Sequence, residues 1–274
     1  MTPRFSFITA NFVARPLGYH MSEGWAQGDG ANNEAFKPLA TFATEFESLL
    51  GEVKDLGYQA IDLWAAHLHF QWATPEHIQI AKDLLAKHEI EVRSYAAWVG
   101  GDTTDLRAAC RLCRTLGIPY ISGFVATAED AEHREAAVAV LREFAVGYAI
   151  ENHPETSIAE LAARMGEGAN DVIGIALDTG WAATRGWDAL TGLKELQDRI
   201  FTVHLKDVIA PRAEKSGFEF IDMGHETCLL GDGVVGIEGI VRWLAETGFR
   251  GPMGVEHEPE EFDPREDCRV SLER

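Results

Sequence analysis

The sequence predicts a closed (β/α)8 barrel, eight parallel strands alternating with helices in one domain. Three observations carry this. The chain has 274 residues, close to the ~250 of such a barrel. Strand-like apolar runs alternate with stretches whose apolar residues recur every three or four positions, the pattern of a parallel sheet covered by helices. No Pro/Gly/Ser-rich linker divides residues 1–274. An open, doubly wound sheet is the alternative. It would carry a glycine fingerprint after its first strand, where this chain has Thr9-Ala10-Asn11-Phe12-Val13.

The first strand is expected at Phe5–Phe12 and the second at Tyr58–Trp64. Between them Leu39, Phe42, Phe46, Leu49, Leu50, Val53 and Leu56 mark one helical face ending at Gly57, where a glycine readily takes a left-handed cap. Thr74-Pro75-Glu76 opens the next helix with a capping hydroxyl and a proline at the first helical position. Strands follow at Ile90–Ala96, Pro119–Val125 (after a helix stopping at Leu116-Gly117) and Val146–Glu151. Ser157 with Glu160 forms a capping box. The sixth, seventh and eighth strands are read at Val172–Asp178, Ile200–Lys206 and Pro252–Glu256. A helix at Ile237–Glu246 precedes the eighth, and Asp263-Pro264 caps a last short one. Two connections are long, 14–38 and 208–233. Both fall on the carboxyl-end face of a barrel, where chemistry is built.

Composition narrows the function. Acids outnumber bases 44 to 24, giving a net charge of −20. Such a surface repels nucleic acid and anionic membranes. No apolar run approaches the ~20 residues of a membrane span. The amino end, Met1-Thr2-Pro3-Arg4-Phe5, lacks the apolar core of a signal peptide. With four cysteines, too few for a disulfide scaffold, a reducing cytoplasm is expected. Cys110 and Cys113 are spaced like a redox pair but lie mid-helix, so they read as core thiols.

The chemical signal lies at the strand ends. Four successive strands finish in Ile150-Glu151-Asn152-His153, Leu177-Asp178-Thr179-Gly180, Val203-His204-Leu205-Lys206-Asp207 and Val255-Glu256-His257-Glu258. Glu151 to Asp178 is 27 residues and Asp178 to His204 is 26, one strand–helix unit each; His204 to Glu256 is 52, lengthened by the 208–233 connection. Burying such groups is costly unless they are paired or bind a metal. Either these are ordinary strand-end ion pairs, or they converge on the barrel axis. In the second case, three carboxylates and one imidazole make a hard, oxygen-rich site suited to Mn²⁺, Mg²⁺ or Co²⁺.

These stretches, with Leu230-Gly231-Asp232-Gly233, resemble the sugar phosphate isomerase/epimerase superfamily of xylose isomerase-like barrels. Ketose 3-epimerases, inosose isomerases and dehydratases, and endonuclease IV are among its members. The resemblance covers most of the chain and is weakest before residue 58. It implies one divalent ion, Mn²⁺ first and Mg²⁺, Co²⁺ or Zn²⁺ otherwise, held by Glu151, Asp178, His204 and Glu256, with no nucleotide cofactor. It also implies that Glu151 and Glu256 carry protons on opposite sides of the substrate carbon. One departure stands out: the family commonly has a histidine after Asp178-Thr179-Gly180, and this chain has Trp181.

The chemistry that fits is proton removal beside a carbonyl. The resulting enediolate needs its charge stabilised, which a divalent cation does, and the base must lie within ~3 Å of the proton. Replacing the proton from the other face epimerises a small carbohydrate, keto-sugar or polyol. Expelling a leaving group from the same intermediate makes a lyase or dehydratase. A metal-dependent phosphodiesterase is disfavoured by the charge and the single solid histidine ligand; a non-catalytic sugar-binding subunit is disfavoured by the intact four-residue set. Around the site, Lys206 either holds a substrate oxygen or pairs with Asp207 or another acid. His153 is a pocket residue or a structural one. His67 and His69 contact substrate, form a second metal site or are hydrogen-bonded structure. Trp25, Trp64 and Trp181 stack on a sugar or pack the core, and His225 with Glu226 closes over the substrate. Gly231–Gly236 leaves phosphate binding at the following helix open. A homodimer or homotetramer is expected by analogy with similar barrels.

Overall fold

The computed structural model describes residues 5–209 and 226–274. The barrel strands in chain order are β1 (Ser6–Ile8), β2 (Ala60–Trp64), β3 (Glu91–Val99), β4 (Tyr120–Val125), β5 (Gly147–Glu151), β6 (Ile173–Asp178) and β7 (Ile200–Leu205). β8 (Asp207–Ile209) and β9 (Glu226–Cys228) form a separate antiparallel pair, and β10 (Met253–Val255) completes the barrel. The closed order is β1-β10-β7-β6-β5-β4-β3-β2, every neighbour parallel. The expected eight-strand barrel is therefore present.

The helices are α1 (Trp25–Phe36), α2 (Leu39–Asp55), α3 (Pro75–His88), α4 (Thr103–Leu116), α5 (Ala126–Glu129), α6 (Arg134–Phe144), α7 (Ile158–Met165), α8 (Thr179–Thr184), α9 (Ala189–Glu195), α10 (Ile237–Thr247) and α11 (Arg265–Glu273). The signals read from sequence act as caps. Thr74 accepts from His77 N at the start of α3, and Ser157 accepts from Glu160 N at the start of α7. Gly117 and Gly248 end α4 and α10 in the left-handed conformation. Phe42, Phe46, Leu49, Leu50 and Val53 of α2 are wholly buried, the apolar stripe that seats this helix on the sheet. Cys110 and Cys113 are buried core thiols, and burial pushes both above the usual thiol range.

Two expectations are corrected. Residues 14–38 are not an open loop: they hold a 3-10 turn at Arg15–Leu17 and the helix α1. Their sparse apolar pattern hid the helix, which is tied down instead by Asn32 Nδ2 donating to Val13 O (2.8 Å). The first strand ends at Ile8 and continues as a 3-10 helix over Thr9–Phe12, whose Thr9 and Asn11 side chains tie it to Trp64 N and to Val255 O and His257 N.

The inside of the barrel is layered. Residues sharing a register line point the same way. One line joins Ser6, Gly254, His204 and Asp178; another joins Ile8, Asp62 and Ser94. At the amino-end floor the rings of Tyr120 and Phe201 meet at 5.2 Å. The register shift at Ile175/Ala176 leaves Phe201 unpaired, and a bulge of this kind re-aims a side chain. Glycines make room for it: a Cβ at Gly174 would come within 2.5 Å of Phe201 Cδ1. Above this floor lie Ser6, Asp62, Ser94, Ser122 and Thr202, all buried, among the small residues Ala149, Gly174, Ala176 and Gly254. This layer is polar where such barrels are usually filled by Val, Ile and Leu.

The Gly231–Gly236 segment binds inward. Asp207 accepts from the backbone N–H of Gly231 (2.9 Å), Gly233 (3.0 Å), Val235 (3.1 Å) and Val208 (3.0 Å). A Cβ at Gly233 would lie 2.2 Å from Asp207 Oδ1. Those N–H groups hold a carboxylate of the chain itself, so the segment ahead of α10 has none of them to offer a phosphate. Asp207→Ala would strip the acceptor from these backbone donors, at roughly 1–3 kcal/mol for each one left unsatisfied. A loss of about 3 kcal/mol or more in a urea unfolding titration is expected; an unchanged midpoint would remove the segment's dependence on Asp207.

Candidate metal centre

Glu151 ends β5, Asp178 ends β6, His204 lies within β7 and Glu256 follows β10. All four are buried, and one ligand atom from each lies within 4.8 Å of the others. His204 Nδ1 faces two carboxylates, at 2.8 Å from Glu151 Oε1 and 3.0 Å from Glu256 Oε2.

The ends of these strands are joined by side chains that imitate backbone. Asn152 donates from Nδ2 to Asp178 O (2.9 Å) and accepts at Oδ1 from Asp178 N (2.8 Å). Thr179 Oγ1 donates to Lys206 O (2.7 Å) and accepts from Lys206 N (3.0 Å). Asn11 donates to Val255 O (3.0 Å) and accepts from His257 N (2.7 Å). Each pair extends the ladder by one rung past the last regular strand residue, where buried backbone groups need partners. The rungs hold the neighbours of Glu151, Asp178, His204 and Glu256 in register.

The charges in this ring oppose one another. Burial and the Glu256 charge push the Asp178 carboxyl well above the usual range. Burial also works to raise Glu151, but the His204 and His153 charges outweigh it and hold the group below its ordinary value. Glu256 is likewise held low against burial, by Lys206 and His204. Burial would lower His204, yet Glu151 and Glu256 hold the imidazole well above its ordinary value. Asp178 Oδ1 caps α8 by accepting from Trp181 N (2.7 Å). Asp178 Oδ2 and Glu256 Oε2 accept no hydrogen bond of good geometry among the described residues. Glu256 Oε2 faces His204 Nδ1 (3.0 Å); it and the free Asp178 Oδ2 suit a divalent cation, and the donor set is that of a hard ion.

Glu151, His204 and Glu256 of the ring line a cavity of about 820 Å³. Trp25, Trp64 and Trp181 all line it, and Trp25 packs against Trp64 at 5.1 Å. His153 lines it too, edge-on to Trp181 at 4.9 Å. Lys206 Nζ donates to Glu256 Oε1 (2.7 Å) and Glu258 Oε2 (3.0 Å). It is thus paired with acids other than Asp207. His67 must be corrected. It is fully buried behind the cavity wall, with Nδ1 3.0 Å from Thr9 Oγ1 and Nε2 3.1 Å from Asn32 Oδ1. Burial lowers it to about 3, so it is a neutral structural link, and only His69 of that pair lines the cavity. His225 lies outside the described residues.

Several lining residues escaped the sequence reading. Glu258 sits two positions beyond Glu256, and burial raises its carboxyl to about 7. The same alternation brings Trp98 and Phe124 from the ends of β3 and β4, at 5.1 Å from each other. Period-two spacing from Ser94 and Ser122 would have found both. Arg164 and Glu129 come from helices and had no such signal. Arg164 binds Glu129 (2.6 Å), Glu155 (2.8 Å) and the Glu151 carbonyl (2.9 Å), bracing the first ligand from behind.

Comparison with known proteins bears on the family and the fold. The family model described as xylose isomerase-like TIM barrel matches residues 50–274. The rhizopine catabolism protein MocC of Rhizobium meliloti is 32% identical over 125 residues, 43% of this chain and 38% of that protein. The match thus spans under two-fifths of the curated relative's length. A xylose isomerase-like TIM barrel protein from Mycobacterium smegmatis in complex with magnesium superposes with a TM-score of 0.68 at 17% identity, over 99% of this chain and 95% of that one. A D-tagatose 3-epimerase-like protein gives 0.66 at 14%, over 99% and 95%. The probable 3-DHS dehydratase AsbF of Bacillus anthracis gives 0.66 at 13%, over 99% and 98%. At these identities the structures speak for the fold.

The position of His67 makes a prediction. His67→Ala should destabilise the protein by about 3 kcal/mol, since it opens a cavity and deprives Thr9 Oγ1 and Asn32 Oδ1 of one buried hydrogen bond each. Thermal unfolding measures this. Wild-type stability combined with lost ligand binding would return His67 to the substrate site.

Proposed function

Because the chain belongs to the xylose isomerase-like TIM barrel family, we propose that it is a divalent-metal-dependent isomerase or epimerase. Its substrate is a small carbohydrate, keto-sugar or polyol, and its first step removes a proton from the carbon beside a carbonyl. The observation that carries this reading is the gathering of four buried ligand atoms, one each from Glu151, Asp178, His204 and Glu256, within 4.8 Å of one another, with Asp178 Oδ2 accepting no hydrogen bond of good geometry among the described residues. Bound there, a divalent cation would supply charge stabilisation for the oxygen that becomes anionic as the proton leaves.

The chain's own groups do the rest. Glu151 and Glu256 are the two proton carriers, and both are held in the ionised form that a base requires. Lys206 occupies Glu256 Oε1, which fixes that carboxylate and leaves its other oxygen toward His204. Trp25, Trp64 and Trp181 offer ring faces to the apolar C–H surface of a sugar. Trp181 contributes such a face where the family commonly has a histidine, so that side of the substrate is held by packing instead of by an acceptor nitrogen.

A second reading is favoured by the cavity's size. A space of about 820 Å³ lies toward the upper end of the ~300–1,000 Å³ of small-molecule pockets. It has room for a group attached to the sugar, so the same proton abstraction can end in elimination, making the enzyme a lyase or dehydratase.

Elemental analysis of purified protein should find about one divalent ion per chain, and exhaustive chelation should abolish turnover, restored by Mn²⁺, Mg²⁺ or Co²⁺. Proton NMR in D₂O with a panel of ketoses, inososes and keto-glycosides separates the outcomes: solvent deuterium at the α carbon, an inverted centre, or a departed group. Glu151→Gln and Glu256→Gln should each lower exchange by at least ~10²-fold, the low end for a positioned acid or base, with circular dichroism unchanged. Exchange retained in both variants would discard them as proton carriers.

A further inference from the structure

Below the ligand ring, polar atoms of the barrel interior make no hydrogen bond of good geometry among the described residues: Asp62 Oδ1, Ser122 Oγ, Thr202 Oγ1 and His204 Nε2, with Ser94 Oγ close to the Asp62 carboxyl. The residues that carry them are at most 1% exposed. Thr202 lies two positions before His204 on β7, on the same inward face. Asp62 comes from β2 but reaches across β1. Its Oδ2 accepts from Ser6 Oγ at 3.0 Å, and a Cβ at Gly254 would lie 2.4 Å from it. Gly254 is the register partner of His204. The absent side chain at Gly254 therefore lets a carboxylate from the far side of β1 stand beside the imidazole. The small side chains of Ala149 and Ala176 line the same layer, whereas the room at Gly174 is taken by the Phe201 ring.

An imidazole that turns Nδ1 to a cation carries its proton on Nε2, and that N–H needs an acceptor. Metal-binding histidines are usually oriented by such a partner, commonly a carboxylate, a carbonyl or a water. Buried polar atoms with room around them are bridged by ordered water, which typically makes two to four hydrogen bonds. We propose that Asp62 is a positioning residue: water held in the polar layer joins His204 Nε2–H to the Asp62 carboxylate and fixes the ring with Nδ1 toward Glu151 and Glu256. This rests on the reading of the ring as a metal site. It assigns the polar layer a task, since an apolar filling would leave the Nε2–H buried and unpaired.

The test is the affinity of the full chain for Co²⁺, measured by competition with a chelator, in wild type, Asp62→Asn and Asp62→Ala. Loss of an outer-shell partner typically costs ~10–100-fold in metal affinity, so a weakening of that size is expected for Asp62→Ala and a smaller one for Asp62→Asn. The isosteric Asn variant guards against a folding failure of the Ala variant. A readout that general destabilisation would not move is the hyperfine-shifted Nε2–H proton of His204 in the Co²⁺ form. It should be present and slow to exchange in wild type, and lost or fast-exchanging in both variants. Wild-type affinity with an unchanged Nε2–H signal in both variants would overturn the role of Asp62 while leaving the metal site standing. A wild type that binds no divalent ion would overturn the metal reading and this inference with it.

Discussion

Parallel pairing of β6 with β7 and of β7 with β10 sets Asp178, His204 and Gly254 on one register line, and the site depends on that line holding. Closure of the sheet turns it into an arc around one axis. Glu151, one strand earlier, and Glu256, just past the end of the last, then face the same point. Slipping any of these strands by one residue would turn its ligand outward into the helical layer. The side-chain rungs of Asn11, Asn152 and Thr179 sit at the joints where a slip would begin. Their cost is small because each replaces a backbone partner that the splaying strand ends can no longer reach.

The arrangement is electrostatically expensive. Three carboxylates in a buried space repel one another, and the raised Asp178 carboxyl reflects burial first and then the charges of Glu256 and Glu151. The protein offsets part of it with Lys206, which binds Glu256 and Glu258, and with His204, which lies against Glu151 and Glu256. Asp178 Oδ2 is left without a hydrogen-bond donor among the described residues. A buried charge left in this way is destabilising unless a cation joins it, so stability has been conceded at the point where chemistry is wanted. The polar layer beneath continues the pattern, with hydroxyls and Asp62 in place of the branched aliphatics that would pack more cheaply.

The strands and most helices were legible because their signals are local. The α2 stripe, the Thr74 and Ser157 caps and the glycine stops at Gly117 and Gly248 each act within a few residues. The four ligand candidates were legible because each ends an apolar strand on a group that burial penalises. Helix α1 was missed because its residues carry little apolar periodicity, and its anchor, Asn32, works by hydrogen bonds to Val13 and Gly28. His67 was misplaced because a histidine after a strand looks the same whether it faces the cavity or the wall behind it.

Alternation, capping and the cost of burying charge determined from sequence alone that this chain is an eight-strand barrel with acids and an imidazole at consecutive strand ends. These are properties of single segments, and a segment carries them wherever it lies. Tertiary structure decided the rest. It set Lys206 between Glu256 and Glu258, sent His67 behind the wall, closed Gly231–Gly236 on Asp207 and brought Asp62 across β1 into the space a side chain at Gly254 would fill. Each of these depends on which distant residues share a space once the sheet closes, and sequence spacing does not encode distance across a barrel.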